Sequence, residues 1–322
     1  MKKLTALIVC VMMLVSLMLP ALAETPQLSE DELNELNELL AVDEDDYVPD
    51  YRIAFNEDDL SVTEGLDETW MNILLMGVDN AGADRINGRT DAMMILSVNT
   101  VTGESKLASI VRDLYVELPE TTPVRKNRIN TAYVFGGPKY AMKTVNATLG
   151  LNITRYCTVN FRGFEKIVDK LGGVDIEITA GEANQITKTS KQFVRGDQVA
   201  HLNGKQALAY ARIRKLDNNF GRNERQRKFL IAMLQKVLSE NDVSQIFSLA
   251  EEVLKNMETN LSAADLINLI FDVLPNITDM DTYSCPRDGE YTYFTTESGA
   301  AVVLANDMNE VAASLKAFIY GE

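Results

Sequence analysis

The chain carries one histidine, His201, and three cysteines in 322 residues, a scarcity that removes whole classes of site chemistry. A Ser-His-Asp triad would have to use His201, which stands in His201-Leu202-Asn203-Gly204 just before a predicted helix, the setting of a turn or packing residue. One histidine and scattered cysteines also lack the ligand spacing of a zinc site. No glycine-rich phosphate loop of the Walker or Rossmann kind occurs. Aromatic residues make up 7% of the chain and no basic face interleaves them, which excludes a nucleic-acid surface.

What is present begins with an export signal. Met1-Lys2-Lys3 opens the chain, an apolar run follows over 4–19, and Ala21-Leu22-Ala23 precedes Glu24. Residues 1–23 thus read as a signal peptide or membrane anchor; Pro20 and the A-x-A tripeptide favour cleavage, and the run is near the lower length limit for a span. Cys10 lies inside this run, which leaves Cys157 and Cys285 to pair outside the membrane if the fold brings them together. The net charge of −16 is uneven: residues 24–68 hold 17 acidic residues and one basic residue, whereas 69–322 hold 30 acids and 28 bases. So acidic and aromatic-poor a stretch reads as a solvated tether, with Leu33, Leu36, Leu39 and Leu40 able to line one amphipathic helix. The remainder, 69–322, reads as one continuous domain.

Apolar, β-branched runs at 72–78, 92–98 and 106–111 predict buried strands, the last two joined by Asn99-Thr100-Val101-Thr102-Gly103. Helical spacing over 130–149 and 161–171 is followed each time by glycine and a strand-like run, 152–160 and 174–179. Residues 222–271 read as three successive helices, 281–294 as short strands and 307–320 as a last helix. The expectation is a three-layer α/β/α sandwich around a mixed sheet.

Charged residues at strand exits carry the chemistry, because a polar group ending a buried strand faces the crevice where α/β folds bind ligands. Asp79 closes the run Ile73-Leu74-Leu75-Met76-Gly77-Val78, and Asp91 opens the next strand after Arg89-Thr90. Such a carboxylate pair suits Mg²⁺, which takes hard oxygens and completes its shell with water and phosphate; capping of turns is an equal reading. Arginines form a second constellation: Arg112 after Ser109-Ile110-Val111, Arg212 and Arg214 in Ala211-Arg212-Ile213-Arg214, and Arg222, Arg225 and Gln226 at a helix start. Guanidinium forks pair with phosphate oxygens, so this set matches a diphosphate better than a lone carboxylate. For Arg227 and Lys228 a solvated basic helix face is the reading.

The order of these motifs resembles the LytR-CpsA-Psr family over 72–238. The resemblance rests on Asn72-Ile73-Leu74-Leu75-Met76-Gly77-Val78-Asp79, Arg89-Thr90-Asp91, Ser109-Ile110-Val111-Arg112-Asp113 and Lys126-Asn127-Arg128-Ile129-Asn130-Thr131-Ala132-Tyr133. It continues through Gly172-Gly173-Val174-Asp175, Leu202-Asn203-Gly204-Lys205-Gln206-Ala207-Leu208-Ala209-Tyr210-Ala211-Arg212 and Gly221-Arg222-Asn223-Glu224-Arg225-Gln226. Each motif is weak alone; seven in this order are specific. The resemblance implies an extracytoplasmic phosphotransferase that moves teichoic acid, capsular polysaccharide or a similar glycopolymer from a polyprenyl-pyrophosphate carrier onto peptidoglycan, working at the membrane surface through the substrate lipid. It implies Mg²⁺ held by Asp79 and Asp91, a pyrophosphate ringed by Arg89, Arg112, Arg212, Arg214, Arg222 and Gln226, and catalytic roles for Arg112, Arg212, Arg214 and Asp79. Val111 stands where proline is common, and Arg128-Ile129-Asn130 where Lys-Ile-Asn is commoner. A wall for the prenyl chain would draw on Phe135, Met142, Val145, Leu149, Phe164, Ile167, Val168, Leu230 and Leu234, which ordinary core packing explains equally well. Two rival readings are a non-catalytic polyprenyl-phosphate binding protein and a hydrolase of the pyrophosphate linkage.

Overall fold

The computed structural model describes residues 53–79, 88–216, 219–239, 256–261 and 280–321. The expected signal segment, most of the expected tether and much of the expected 222–271 helical tail lie outside them. Apolar runs buried on both faces make strands of Trp70–Val78 (β1), Thr90–Asn99 (β2) and Ser105–Ile110 (β3), and β1 and β2 pair antiparallel, as do β2 and β3. The β2–β3 turn is the one expected: the Asn99 side chain accepts from the backbone N–H groups of Val101 and Thr102. Two short hairpin strands follow, Tyr115–Leu118 (β4) and Arg125–Arg128 (β5). Arg155–Asn160 (β6) adds to β1 in parallel.

On one sheet face Leu74, Met76, Val78, Met93, Ile95, Ala108 and Ile110 join the main core. The helices covering it are Ala132–Leu149 (α1), entered by a 3-10 turn at Ile129–Thr131, and the C-terminal Met308–Tyr320. The neighbouring positions of the same strands, Leu75, Met94, Leu96, Val98 and Leu107, face the other way and meet Leu230 and Leu234. Period-two alternation therefore buries both faces, and helices cover each.

Phe161–Lys170 (α2), the hairpin of Val174–Ile178 (β7) and Gln198–Leu202 (β8), Ala180–Ser190 (α3) and Gly204–Ala211 (α4) share a second core. Asn219–Ser239 (α5) reaches both regions, through Phe229 to the second core and Leu230 to the sheet. Met257–Thr259 (β9) and Asp281–Cys285 (β10) complete the central sheet, whose order is β10-β3-β2-β1-β6-β9. Tyr291–Thr295 (β11) and Ala301–Ala305 (β12) form a last hairpin, and the C-terminal helix Met308–Tyr320 is α6. The mixed sheet with flanking helices is the architecture expected.

Two readings are corrected, and two that stood open are decided. β9 is a strand inside the stretch read as helical: its ladder to β6 overrides a local pattern in which only three residues are extended. Cys157 and Cys285 are free; they lie on β6 and β10, four strand spacings or about 19 Å apart, too far for a disulfide. The expected lipid-wall residues divide among three separate cores, Phe135, Met142, Val145 and Leu149 in the first, Phe164, Ile167 and Val168 in the second, Leu230 and Leu234 in the third.

The fourth concerns 53–68, read from its charge as tether. Here it runs alongside α1, in the same direction. The Ile53 N–H donates to Phe135 O (3.1 Å), the Phe55 ring meets Tyr140 at 4.8 Å, Lys143 Nζ donates to Asp59 O (2.7 Å), the Asn146 amide donates to Leu60 O (2.9 Å) and the Thr63 N–H donates to Leu151 O (2.9 Å). The helix is broken at Gly136-Gly137 before Pro138, with Gly137 at φ 68°, and a Cβ at Gly136 would stand 2.6 Å from the Phe55 ring. Charge alone hid this packing, because Ile53, Phe55 and Leu60 are spaced between the acids.

Candidate active site

The strands bring the two aspartates together. Val78 pairs with Thr90 across β1 and β2, and the Asp79 N–H extends the ladder by donating to Arg89 O (2.9 Å). Close strand approach there depends on Gly77, where a Cβ would lie 3.3 Å from that of Ala92. Burial raises the Asp79 carboxyl above the usual carboxylate range, and the neighbouring Asp91 raises it further against the pull of Arg212, Arg214 and Arg112. Burial works in the same sense on Asp91, but Arg112, Arg214, Arg222 and Arg212 together outweigh it and hold that carboxyl low.

The arginines arrive from separate elements, some of them in pairs. Arg112 follows β3 and its Nη1 donates to Asp91 Oδ1, while its Nε lies 3.4 Å from Asp113 Oδ1. Arg212 caps the C-terminus of α4, and its guanidinium lies over the Phe161 ring, 4.2 Å from the centroid. Arg214, two residues on, reaches Asp91 Oδ1 at 3.3 Å. The first turns of α5 bury Arg222, Arg225 and Gln226 together, as their shared face predicts. Gln226 Nε2 donates to Asp91 O (3.4 Å) and Ala211 O (3.3 Å); Arg225 Nη2 donates to Ile213 O (2.8 Å), and its Nη1 lies 3.6 Å from Glu182. Arg225 thereby fixes the segment that carries Arg212 and Arg214. Arg89 is partly buried at the strand end beside Asp79.

Arg222 differs from the rest. It is 1% exposed, and none of its three side-chain nitrogens has a hydrogen-bond partner among the described residues. Burial, then the nearby Arg112, push its pKa down to about 9, so it is still charged at neutral pH. An ionised guanidinium removed from water without an acceptor costs several kcal/mol. The position is shaped for an anion.

Sequence reasoning missed the residues that hold these groups. Asp113 lies beside Arg112, and Arg128, whose Nε donates to Ala301 O (3.1 Å), stands 3.7 Å from the same carboxylate. Phe161 was read only as a helix start. Arg128 and Phe161 find their partners in distant segments, so no local signal marks them. Arg227 departs from the solvated face expected: it is half-buried, with Nη1 3.5 Å from Tyr283 O, whereas Lys228 is exposed and pairs with Glu224 at 2.9 Å. His201 is exposed on β8, its Nδ1 2.8 Å from Asp175. Among the described residues no third carboxylate, cysteine or histidine gathers with the Asp79–Asp91 pair, and no helix is long and apolar enough to cross a membrane.

Fold and site together define an α/β domain in which strand ends and one helix start surround two carboxylates with guanidinium groups. The chain belongs to the LytR_cpsA_psr family, whose profile matches residues 41–314. It is 34% identical over 234 residues to the polyisoprenyl-teichoic acid–peptidoglycan teichoic acid transferase TagV of Bacillus subtilis, covering 68% of this chain and 59% of that protein. The transferase TagU of Bacillus mycoides is likewise 34% identical, over 68% of this chain and 69% of its own length. Among solved structures, B. subtilis TagV superposes with a TM-score of 0.65 at 27% identity, over 79% of this chain and 98% of that one. TagT bound to LIIa-WTA gives 0.63 at 25% identity, over 84% and 95%.

Proposed function

We propose that this chain is an extracytoplasmic phosphotransferase that moves a teichoic-acid-type glycopolymer from a polyprenyl-pyrophosphate carrier onto peptidoglycan. One observation carries the reading: Arg222 is buried and charged, within electrostatic reach of Arg112, Arg214 and Asp91, and its guanidinium nitrogens have no hydrogen-bond partner among the described residues. A diphosphate supplies the acceptors that this guanidinium lacks. The relatives' names give the chemistry, since TagV and TagU are named as transferases of polyisoprenyl-linked teichoic acid to peptidoglycan.

Mg²⁺ fits the carboxylate pair. The Asp79 carboxylate accepts no hydrogen bond from a described residue, and Asp91 meets its arginines through Oδ1, leaving Oδ2 without a donor among the described residues. Two hard oxygens of this kind, with water and phosphate, complete the shell the ion prefers, and once bound it would screen pyrophosphate charge. The arginines do the remaining work. Arg112, Arg212, Arg214 and Arg222 stabilise charge on the leaving phosphate as a peptidoglycan hydroxyl attacks the sugar-bearing phosphorus and gives its proton to water, the bond from that phosphorus to the bridging oxygen breaks and polyprenyl phosphate departs. Asp113, Phe161 and Arg225 keep those groups aimed, so that little reorganisation accompanies the step. Gln226 holds the Asp91 backbone to the end of α4, and Arg89 adds positive charge at the mouth.

The test is transfer from a synthetic polyprenyl-pyrophosphate-linked polymer to a peptidoglycan acceptor. Arg112→Ala and Arg212→Ala should each lower turnover by about 10²–10³ with the fold retained by circular dichroism. Near wild-type transfer by both overturns the assignment. Polymer released without acceptor identifies a hydrolase, and carrier retained without turnover identifies a binding protein.

A further inference from the structure

A cleft of 220 Å³ lies on the far side of the first turn of α5, lined by Phe220, Glu224, Arg227, Ser284, Arg287 and Asp288. None of these residues belongs to the guanidinium cluster, yet Phe220 stands two positions before Arg222 on the same turn. Its ring stacks on Tyr291 with centroids 4.6 Å apart and 21° between planes, and Tyr291 meets Tyr293 edge-on at 5.5 Å and 83°. An aromatic ladder thus leaves the cleft and runs onto the β11–β12 hairpin, where Tyr293 is 60% exposed. The Tyr291 hydroxyl turns back towards the cleft, 3.4 Å from Asp288 Oδ1.

The polar lining has a definite character. Its acids and bases balance, Glu224 and Asp288 against Arg227 and Arg287, so the cleft has no net pull on a phosphate. Arg287 is held in place by Glu290 (2.8 and 3.0 Å) and Ser314 (2.8 Å), and the Ser284 hydroxyl is buried without a partner among the described residues. Planar charged groups beside a hydroxyl offer paired donors and acceptors of the kind vicinal sugar hydroxyls need. The electron-rich ring faces alongside suit the C–H face of a pyranose. At 220 Å³ the cleft is below the roughly 300–1,000 Å³ of drug-sized pockets, a scale for one ring of a chain that continues outside.

We propose that this cleft and the Phe220–Tyr291–Tyr293 ladder form a saccharide subsite that seats pyranose rings of the acceptor's glycan strand. The inference rests on the transfer reading and adds to it a place for the second substrate. The phosphate-rich donor is drawn to the arginines; the sugar rings of the acceptor carry no phosphate and are met by ring faces and balanced polar groups.

Calorimetric titration of the full chain with soluble, uncross-linked peptidoglycan glycan strands tests this directly. Tyr293→Ala is expected to weaken binding about tenfold or more, Tyr293→Phe to retain it, and both to bind polyprenyl pyrophosphate as the wild type does. Tyr293 is exposed, and matching melting curves establish that each variant is folded. Wild-type glycan affinity in Tyr293→Ala overturns the subsite while leaving the transfer reading intact. Loss of carrier binding in the same variant reassigns the ladder to the donor and also overturns it. A wild type that binds carrier but no glycan sinks the subsite alone, and one that binds neither sinks both readings.

Discussion

Arg222 sets the terms at the scale of single residues. Its guanidinium is kept inside the protein at a cost that only a ligand removes, so function and stability pull in opposite directions there. Arg222→Met should therefore raise Tm, by about 2–4 °C for each kcal/mol released, and abolish carrier binding; scanning calorimetry and lipid retention read the two effects. A Tm several degrees lower would contradict it. The two aspartates, Arg112 and Arg222 were legible in the sequence because each stands at a strand end or helix start, positions marked by the local pattern, whereas Arg212 and Arg214 follow the end of α4. Which arginine lacks a partner was not legible. Arg112 finds Asp91 from 21 positions away and Arg214 from 123, and only the fold sets which nitrogens are used up.

Among the elements, the pairing of 53–68 with α1 is the least expected. Lys143, its side chain 1% exposed, binds Asp59 (3.2 Å) and Glu120 (2.7 Å), and its own pKa is raised because these partners outweigh the effect of burial. The Ser61 N–H and then Lys143 hold Asp59 below its ordinary 3.8; Lys143 and then the Asn56 N–H hold Glu120 below 4.5. Carboxyls depressed on folding stabilise above their unfolded values, and that stabilisation disappears as pH falls through the folded ones. Backbone amides of 53–60 should accordingly exchange hydrogen faster as pH drops below about 4, after correction for intrinsic rates, and Lys143→Met should show the same release at neutral pH. Unchanged protection in that variant would contradict the clasp. The three strands of the β1–β3 meander were readable from their apolar, β-branched runs, and α1, α2 and α6 from helical spacing. β9 was not, since three residues carry no period of their own, and the helix α3 was passed over because its mean polarity masks Ala183 and Ile186.

For the molecule as a whole, charge and ligand decide behaviour. The acids of 24–68 account for the net −16, whereas the domain is nearly neutral and buries three of its arginines, Arg112, Arg222 and Arg225, around one site. Carrier binding should then act as a large stabiliser: at a hundredfold excess over Kd, linkage gives about 2.7 kcal/mol, readable as a Tm increase of roughly 5–10 °C. Chelation of divalent cations should reduce that increase, and Asp79→Asn should make it insensitive to chelator; an increase unaffected by chelator in the wild type would argue against Mg²⁺. The alignment of the N-terminal segment with α1 has a mechanical consequence. Any tension on the chain ahead of Ile53 reaches Phe135 first, then the Phe55 seat at Gly136, then Lys143, Asn146 and Leu151, one fastening at a time. Load is taken up by peeling in sequence, and β1, with the carboxylate at its end, is the last part to feel it.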